Sequence, residues 1–145
     1  MSLLLTNAWV LTMDAALTEY RKGWVKIEGD RIVGLGEGPA PQADQVLDMG
    51  GDLVMPGMVN PHCHLPMSLF RGLGEDVDDR LFRYILPLER KFVSPGMVRA
   101  GTALSALESI MGGVTTIADM YYFETVIAEV MDQAGLRGVL GQTLA

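Results

Sequence analysis

His62 and His64 are the only two histidines in the chain, and a single residue separates them. Along an extended strand the side chains of residues i and i+2 leave the same face, so both imidazoles can converge on one point. Imidazole is a common ligand for zinc and similar divalent ions, and the chemistry open to such a pair is the holding of a metal that activates water. The spacing alone leaves two other readings, a partly buried polar pair or two loop histidines. Cys63, between them, points to the opposite face and reads as a small buried hydrophobe.

The neighbouring residues must place this pair at a strand end. Upstream, the apolar run from Leu53 to Val59 is broken by Pro56-Gly57, where proline fixes its own φ and glycine is free to take an angle that other residues avoid. Downstream, the glycines and acids between Leu65 and Asp79 read as a surface loop beside the histidines, in the position of a substrate lid. Arg71 reads as an anchor of that loop through hydrogen bonds, with substrate contact as the second reading. Leu81, Tyr84, Ile85 and Leu88 fall at helical spacing, and Pro87 should end or kink that helix near Leu86 and redirect Glu89. By residue type alone, Glu89 is a solvated surface acid.

Ser94-Pro95 predicts a helix start, with the serine capping exposed amides and the proline in the first helical position. Met97, Ala100, Leu104, Leu107 and Met111 then predict an inward stripe, which Gly112-Gly113 ends. Val114 to Ala118 reads as a buried strand ending at Asp119, whose carboxylate caps the next loop or, as the second reading, supports the histidines. Residues from about Glu124 to Ala134 predict a helix with Val126, Ile127, Val130 and Met131 inward, and a further strand runs from Leu136 towards Leu144, ending near Gln142. Strand, helices, strand, helix, strand is the opening of a parallel α/β barrel. Ahead of it, Leu3 to Asp52 reads as short strands and turns without chemistry of their own. Leu3–Leu5 and Trp9–Leu11 flank Thr6-Asn7, Gly29-Asp30 makes a hairpin turn, Gly34 to Ala43 is a loop, and Val46 to Met49 is a strand.

The chain has 145 residues, a net charge of -7, 49% hydrophobic residues and one cysteine. The acidic balance argues against a nucleic-acid backbone or an anionic membrane as partner. A lone cysteine makes no internal disulfide and fits a reducing, cytoplasmic location. No run approaches the ~18 uninterrupted apolar residues of a membrane span. The chain has no His-x-Glu with Cys-x-x-Cys, which excludes the cysteine-ligated zinc deaminases that edit nucleic acids.

The run Val54-Met55-Pro56-Gly57-Met58-Val59-Asn60-Pro61-His62-Cys63-His64 resembles the signature of the amidohydrolase superfamily. Further on, His64-Leu65-Pro66-Met67-Ser68-Leu69-Phe70-Arg71-Gly72, Leu86-Pro87-Leu88-Glu89 and Gly113-Val114-Thr115-Thr116-Ile117-Ala118-Asp119-Met120-Tyr121 resemble its methylthioadenosine/S-adenosylhomocysteine deaminase and chlorohydrolase group. The resemblance implies an α/β fold, the N-terminal part of a (β/α)8 TIM barrel (residues 54–145) preceded by a β-sandwich segment (residues 1–53). A complete barrel takes roughly 250 residues, so the remaining strands are expected further along a longer polypeptide.

The same resemblance implies His62 and His64 as ligands of one divalent metal ion, zinc or iron, and Glu89 as a ligand of a ribose hydroxyl. Arg80 stands where those nucleoside deaminases commonly carry tryptophan, and Gln142 where they commonly place a substrate-binding arginine, so the ring substrate is expected to differ. The implied reaction is hydrolytic deamination of an amino-substituted heterocycle by water activated at the metal. Removal of chloride by the same means is the alternative, and a non-catalytic assembly protein on the same scaffold is a third reading. A small heterocyclic molecule is the expected partner, and a homo-oligomer the expected assembly. The chain alone is expected to be inactive and to hold metal weakly, because its two histidines are fewer than a catalytic zinc's usual protein ligands.

Overall fold

A computed structural model describes residues 1–144. The chain divides into two compact units, Met1–Pro56 and Gly57–Ala145, so the Pro-Gly turn is itself the division.

The first unit is one five-stranded sheet of β1 (Ser2–Leu11), β2 (Glu19–Glu28), β3 (Arg31–Glu37), β4 (Gln45–Asp48) and β5 (Leu53–Val54). β2 lies antiparallel between β1 and β3, while β4 and β5 both run parallel to β1. Thr6-Asn7, which read as a break between two strands, lies inside one strand. Asn7 takes φ 51 and the register shifts between Leu5 and Ala8, so a bulge absorbs the irregularity and pairing continues.

The loop expected from Gly34 is instead strand as far as Glu37. Trp24 is the reason: a Cβ on either Gly34 or Gly36 would come within 3.3 Å of its indole, so the glycines there make room for a large neighbour. Ala8, Val10 and Val25 are the buried centre of this unit.

The second unit is a parallel sheet in the order β6-β7-β8, formed by β6 (Met58–Cys63), β7 (Val114–Tyr121) and β8 (Arg137–Gln142). Between β6 and β7 come a 3-10 turn (Leu65–Phe70), a π-helical turn (Leu81–Ile85), α1 (Leu86–Phe92) and α2 (Pro95–Met111), and α3 (Glu124–Ala134) joins β7 to β8. Parallel neighbours joined through helices are the connection that such strands require. Gly57 serves space and not angle: a Cβ there would sit 2.2 Å from Cγ2 of Thr115, and its φ is not among the positive ones.

Pro87 marks a change of helical geometry. The wide π turn before it gives way to α1, with the proline in the first turn, where its missing N–H costs no helical bond. Ser94 caps α2 as its type predicts, accepting the amide of Met97.

The face that α2 turns inward is not the stripe of large residues. Val98, Gly101, Thr102 and Ala106 are buried, whereas Leu104, Leu107 and Met111 face out. The 3-10 turn comes too close for bulk: a Cβ on Gly101 would lie 2.6 Å from the carbonyl oxygen of Pro66. Ser105 donates to the carbonyl of Leu65 and Ser68 to that of Gly101, which stitches turn and helix together. The first part of the expected lid is therefore packed structure, with Leu65, Pro66 and Phe70 buried.

α3 packs as its pattern predicts, with Val130 buried and with Ile127 and Met131 in a core that includes Leu65, Val98, Ile117 and Tyr121. Among the described residues no helix is long and apolar enough to cross a membrane.

Candidate metal and substrate site

β6 delivers His62 as its penultimate residue, and His64 follows at the start of the 3-10 turn. The strand and the exit of the chain from it leave the two rings edge to face, with centroids 5.1 Å apart and planes at 73°. This is the C-terminal end of the parallel strands, the end where α/β barrels carry their chemistry. Nδ1 of His64 is hydrogen-bonded to the carbonyl oxygen of Met120. A carbonyl only accepts, so the proton is on Nδ1 and the lone pair of His64 is on Nε2. A backbone carbonyl on the far ring nitrogen is the support that metal-binding imidazoles commonly have.

His64 lines a cavity of about 230 Å³ together with Glu89, Leu81, Tyr121 and Tyr122. Glu89 is 9% exposed and on the cavity wall, not the solvated surface acid that its residue type alone suggests. The turn of the chain at Pro87 brings it there. The Tyr121 phenol shares that wall, and burial followed by the Glu89 carboxylate holds its hydroxyl protonated far above its ordinary range. His62 lies against a neighbouring cavity, with Asp119 and Met120 on its wall.

Arg80 and Gln142 are not brought to the cavity that His64 and Glu89 share. Arg80 precedes the π-helical turn with its Nε buried and unpartnered. Gln142 accepts the amide of Glu124 and donates to the carbonyl of Thr143, so its carboxamide closes the start of α3. Arg71 forms a two-pronged bond to Glu108 on α2, at 3.0 and 2.6 Å, and anchors the segment after the 3-10 turn.

Cys63 and Asp119 complete the underside. The Cys63 thiol packs against the core and donates to Asp119, and burial, reinforced by that carboxylate, pushes it up to about 12. It is an inert thiol. Asp119 is buried, and its Oδ2 also accepts the amide of Leu65. Desolvation raises its carboxyl above the ordinary range despite these bonds.

Sequence reasoning missed Glu124. It is buried in the first turn of α3, accepts the amide of Tyr121 and, through burial and then the charge of Asp119, is raised to about 7. The available signal was its reach-back of three residues to Tyr121, the span that the glutamate of a capping box uses.

The residues present fit part of a metal site. Two neighbouring imidazoles, one with its tautomer set for Nε2 ligation, suit a divalent ion. Among the described residues, no group of three His, Cys, Asp or Glu side chains gathers at one point to close the coordination.

The sequence pattern of the amidohydrolase family matches residues 53–145. The chain belongs to that family.

Within the amidohydrolases, it is 39% identical over 144 residues to a 5'-deoxyadenosine deaminase of Methanosarcina mazei, covering 98% of this chain and 33% of the relative. It is 42% identical over 142 residues to a 5-methylthioadenosine/S-adenosylhomocysteine deaminase of Thermococcus onnurineus, covering 97% and 33%. The chain thus spans about a third of the length of these curated relatives. Among solved structures, it is similar to an adenosine deaminase from Xanthomonas campestris with bound zinc. That match has a TM-score of 0.77 and 29% identity, over 94% of this chain and 33% of that one. An atrazine chlorohydrolase from Arthrobacter aurescens complexed with zinc superposes with a TM-score of 0.81 at 23% identity, over 99% of this chain and 36% of that one, and shows likeness of fold.

Proposed function

We propose that this chain supplies the metal-binding first strands of a hydrolase that removes the amino group of an adenine-type nucleoside or a related amino-substituted heterocycle. The observation that carries the reading is the shared cavity of His64 and Glu89 beside the His62–His64 pair. It sets a buried hydrogen-bonding carboxylate next to imidazoles suited to an ion, in a family whose relatives above are named as deaminases of adenosine derivatives.

In this reading His62 and His64 hold one divalent ion, zinc in the first instance. The ion supplies Lewis-acid activation of water at near-neutral pH. Glu89 accepts a hydrogen bond from a substrate hydroxyl, with the Tyr121 phenol beside it on the cavity wall. Leu81, Tyr122 and Met120 give the ring an apolar wall that keeps bulk water away. Acid/base groups and further ligands come from later strands of a (β/α)8 barrel, and the first sheet is one layer of a β-sandwich. The same proposal includes a homo-oligomer in the cytoplasm.

The test is product analysis on the full-length protein with 5'-deoxyadenosine, methylthioadenosine, an aminotriazine and a chlorotriazine. Ammonia from the nucleosides is the expected result. Chloride from the triazine with no ammonia from any of the four would replace deamination by dehalogenation. No product of either kind would leave only the assembly reading. The chain alone is expected to give no turnover.

A further inference from the structure

Asp119 and Glu124 are carboxyl side chains from adjacent elements, 4% and 6% exposed. Each uses one oxygen fully. Oδ2 of Asp119 accepts the Leu65 amide and the Cys63 thiol, and one oxygen of Glu124 accepts the Tyr121 amide. The other two oxygens, Oδ1 of Asp119 and Oε2 of Glu124, are buried and have no donor anywhere among the described residues. Two carboxylates side by side in this state would each leave a lone pair unsatisfied and would repel each other. One proton between them removes both penalties.

We infer that Glu124 is a positioning residue that holds a proton and donates it in a hydrogen bond to Asp119, locking the end of β7 beneath the His62–His64 pair. Three consecutive residues are fixed by this bridge, and each borders the site. Asp119 anchors the amide that follows His64, the carbonyl of Met120 sets the His64 tautomer, and Tyr121 shares a cavity wall with Glu89. The raised value of Glu124, about 7, agrees with the bridge. Asp119 is the one charged group acting on it. Asp119 in turn faces Cys63 at the end of β6 and His64 just past it, and from β8 the uncharged Gln142 meets the backbone of Glu124.

The positioning role rests on the functional reading above, but the location of the proton does not. The experiment therefore reads the proton first. Infrared spectra of the intact protein should show the carbonyl stretch of a protonated carboxylic acid at about pH 6. The band should fade as pH rises through about 7 and be absent in Glu124→Gln. A wild-type spectrum without that band at pH 6, or a band untouched by the substitution, overturns the inference.

The second reading is thermal stability against pH. The folded protein keeps a proton that the unfolded chain loses near the ordinary 4.5, so wild-type stability is fully present below that value and falls as pH rises towards about 7. In Glu124→Gln the amide keeps a donor for Asp119 and an acceptor for Tyr121, so this fall should disappear while zinc binding is retained. Glu124→Ala should lose both stability and about tenfold or more in zinc affinity. An unchanged pH slope in Glu124→Gln, or zinc binding indifferent to Glu124→Ala, contradicts the positioning role.

Discussion

The Nδ1–H of His64 is held by the carbonyl oxygen of Met120, on the neighbouring parallel strand. This bond couples the imidazole of a residue just past β6 to the backbone of β7. The neighbouring residues of β7 also border the site, since Asp119 secures the amide after His64 and Tyr121 lines the same cavity as Glu89. The candidate site is therefore built at strand ends, with the orientation of the His64 ring set by the next strand in the sheet.

Glu89 gives the first prediction. Replacing it with Gln keeps the shape of the cavity wall and removes the charge that strengthens a hydrogen bond to a substrate hydroxyl. Bonds to charged groups contribute about 1.5–3 kcal/mol, so KM for a ribosylated substrate should rise roughly 10- to 100-fold. A substrate of the same ring without ribose should be unaffected. Steady-state kinetics on both substrates checks this, and an equal change for both would remove Glu89 from hydroxyl recognition.

Gly101 gives the second, about the fold that supports the site. A methyl group there meets the backbone of Pro66 at 2.6 Å, and neither a strand-end turn nor a helix backbone can yield as a flexible side chain would. Gly101→Ala should cost about 1–3 kcal/mol of stability, the range for overpacked cores, despite the better helix propensity of alanine. Denaturant unfolding measures it, and a variant more stable than the parent would show that the turn does not press on α2.

Arg71 and Glu108 form the most regular ion pair near the site, but both are exposed. Solvent screens such pairs, so a double-mutant cycle should return under about 1 kcal/mol of coupling. A substantially larger coupling would mean that the segment after the 3-10 turn depends on this pair and not on the burial of Leu65, Pro66 and Phe70.

Much of the scaffold was legible because its signals are local. Ser94-Pro95 starts α2, Gly29-Asp30 turns β2 into β3, and the stripe of Ile127, Val130 and Met131 points α3 inward. The closeness of the two imidazoles agrees with their spacing, although His64 lies one residue past the end of β6. What was not legible depends on a partner distant in sequence. Hydrophobicity marks Leu104, Leu107 and Met111 as the inner face of α2, but the neighbour there is a backbone turn that only small residues can admit. Gln142 was placed at a strand end correctly, yet its side chain is taken by the amide of Glu124, a contact fixed by where α3 begins. The buried, unpartnered oxygens of Asp119 and Glu124 belong to two separate elements, and no motif records them.

The central claim is that His62 and His64 jointly hold a metal ion, His64 through Nε2. The most direct measurement is a zinc titration of the chain followed by nitrogen NMR of the imidazoles. The account predicts that ring nitrogens of both histidines shift together as zinc is added, with Nε2 the responding atom of His64 and its Nδ1 still protonated against Met120. Zinc shifting one histidine alone, or displacing the proton from Nδ1 of His64, would contradict it.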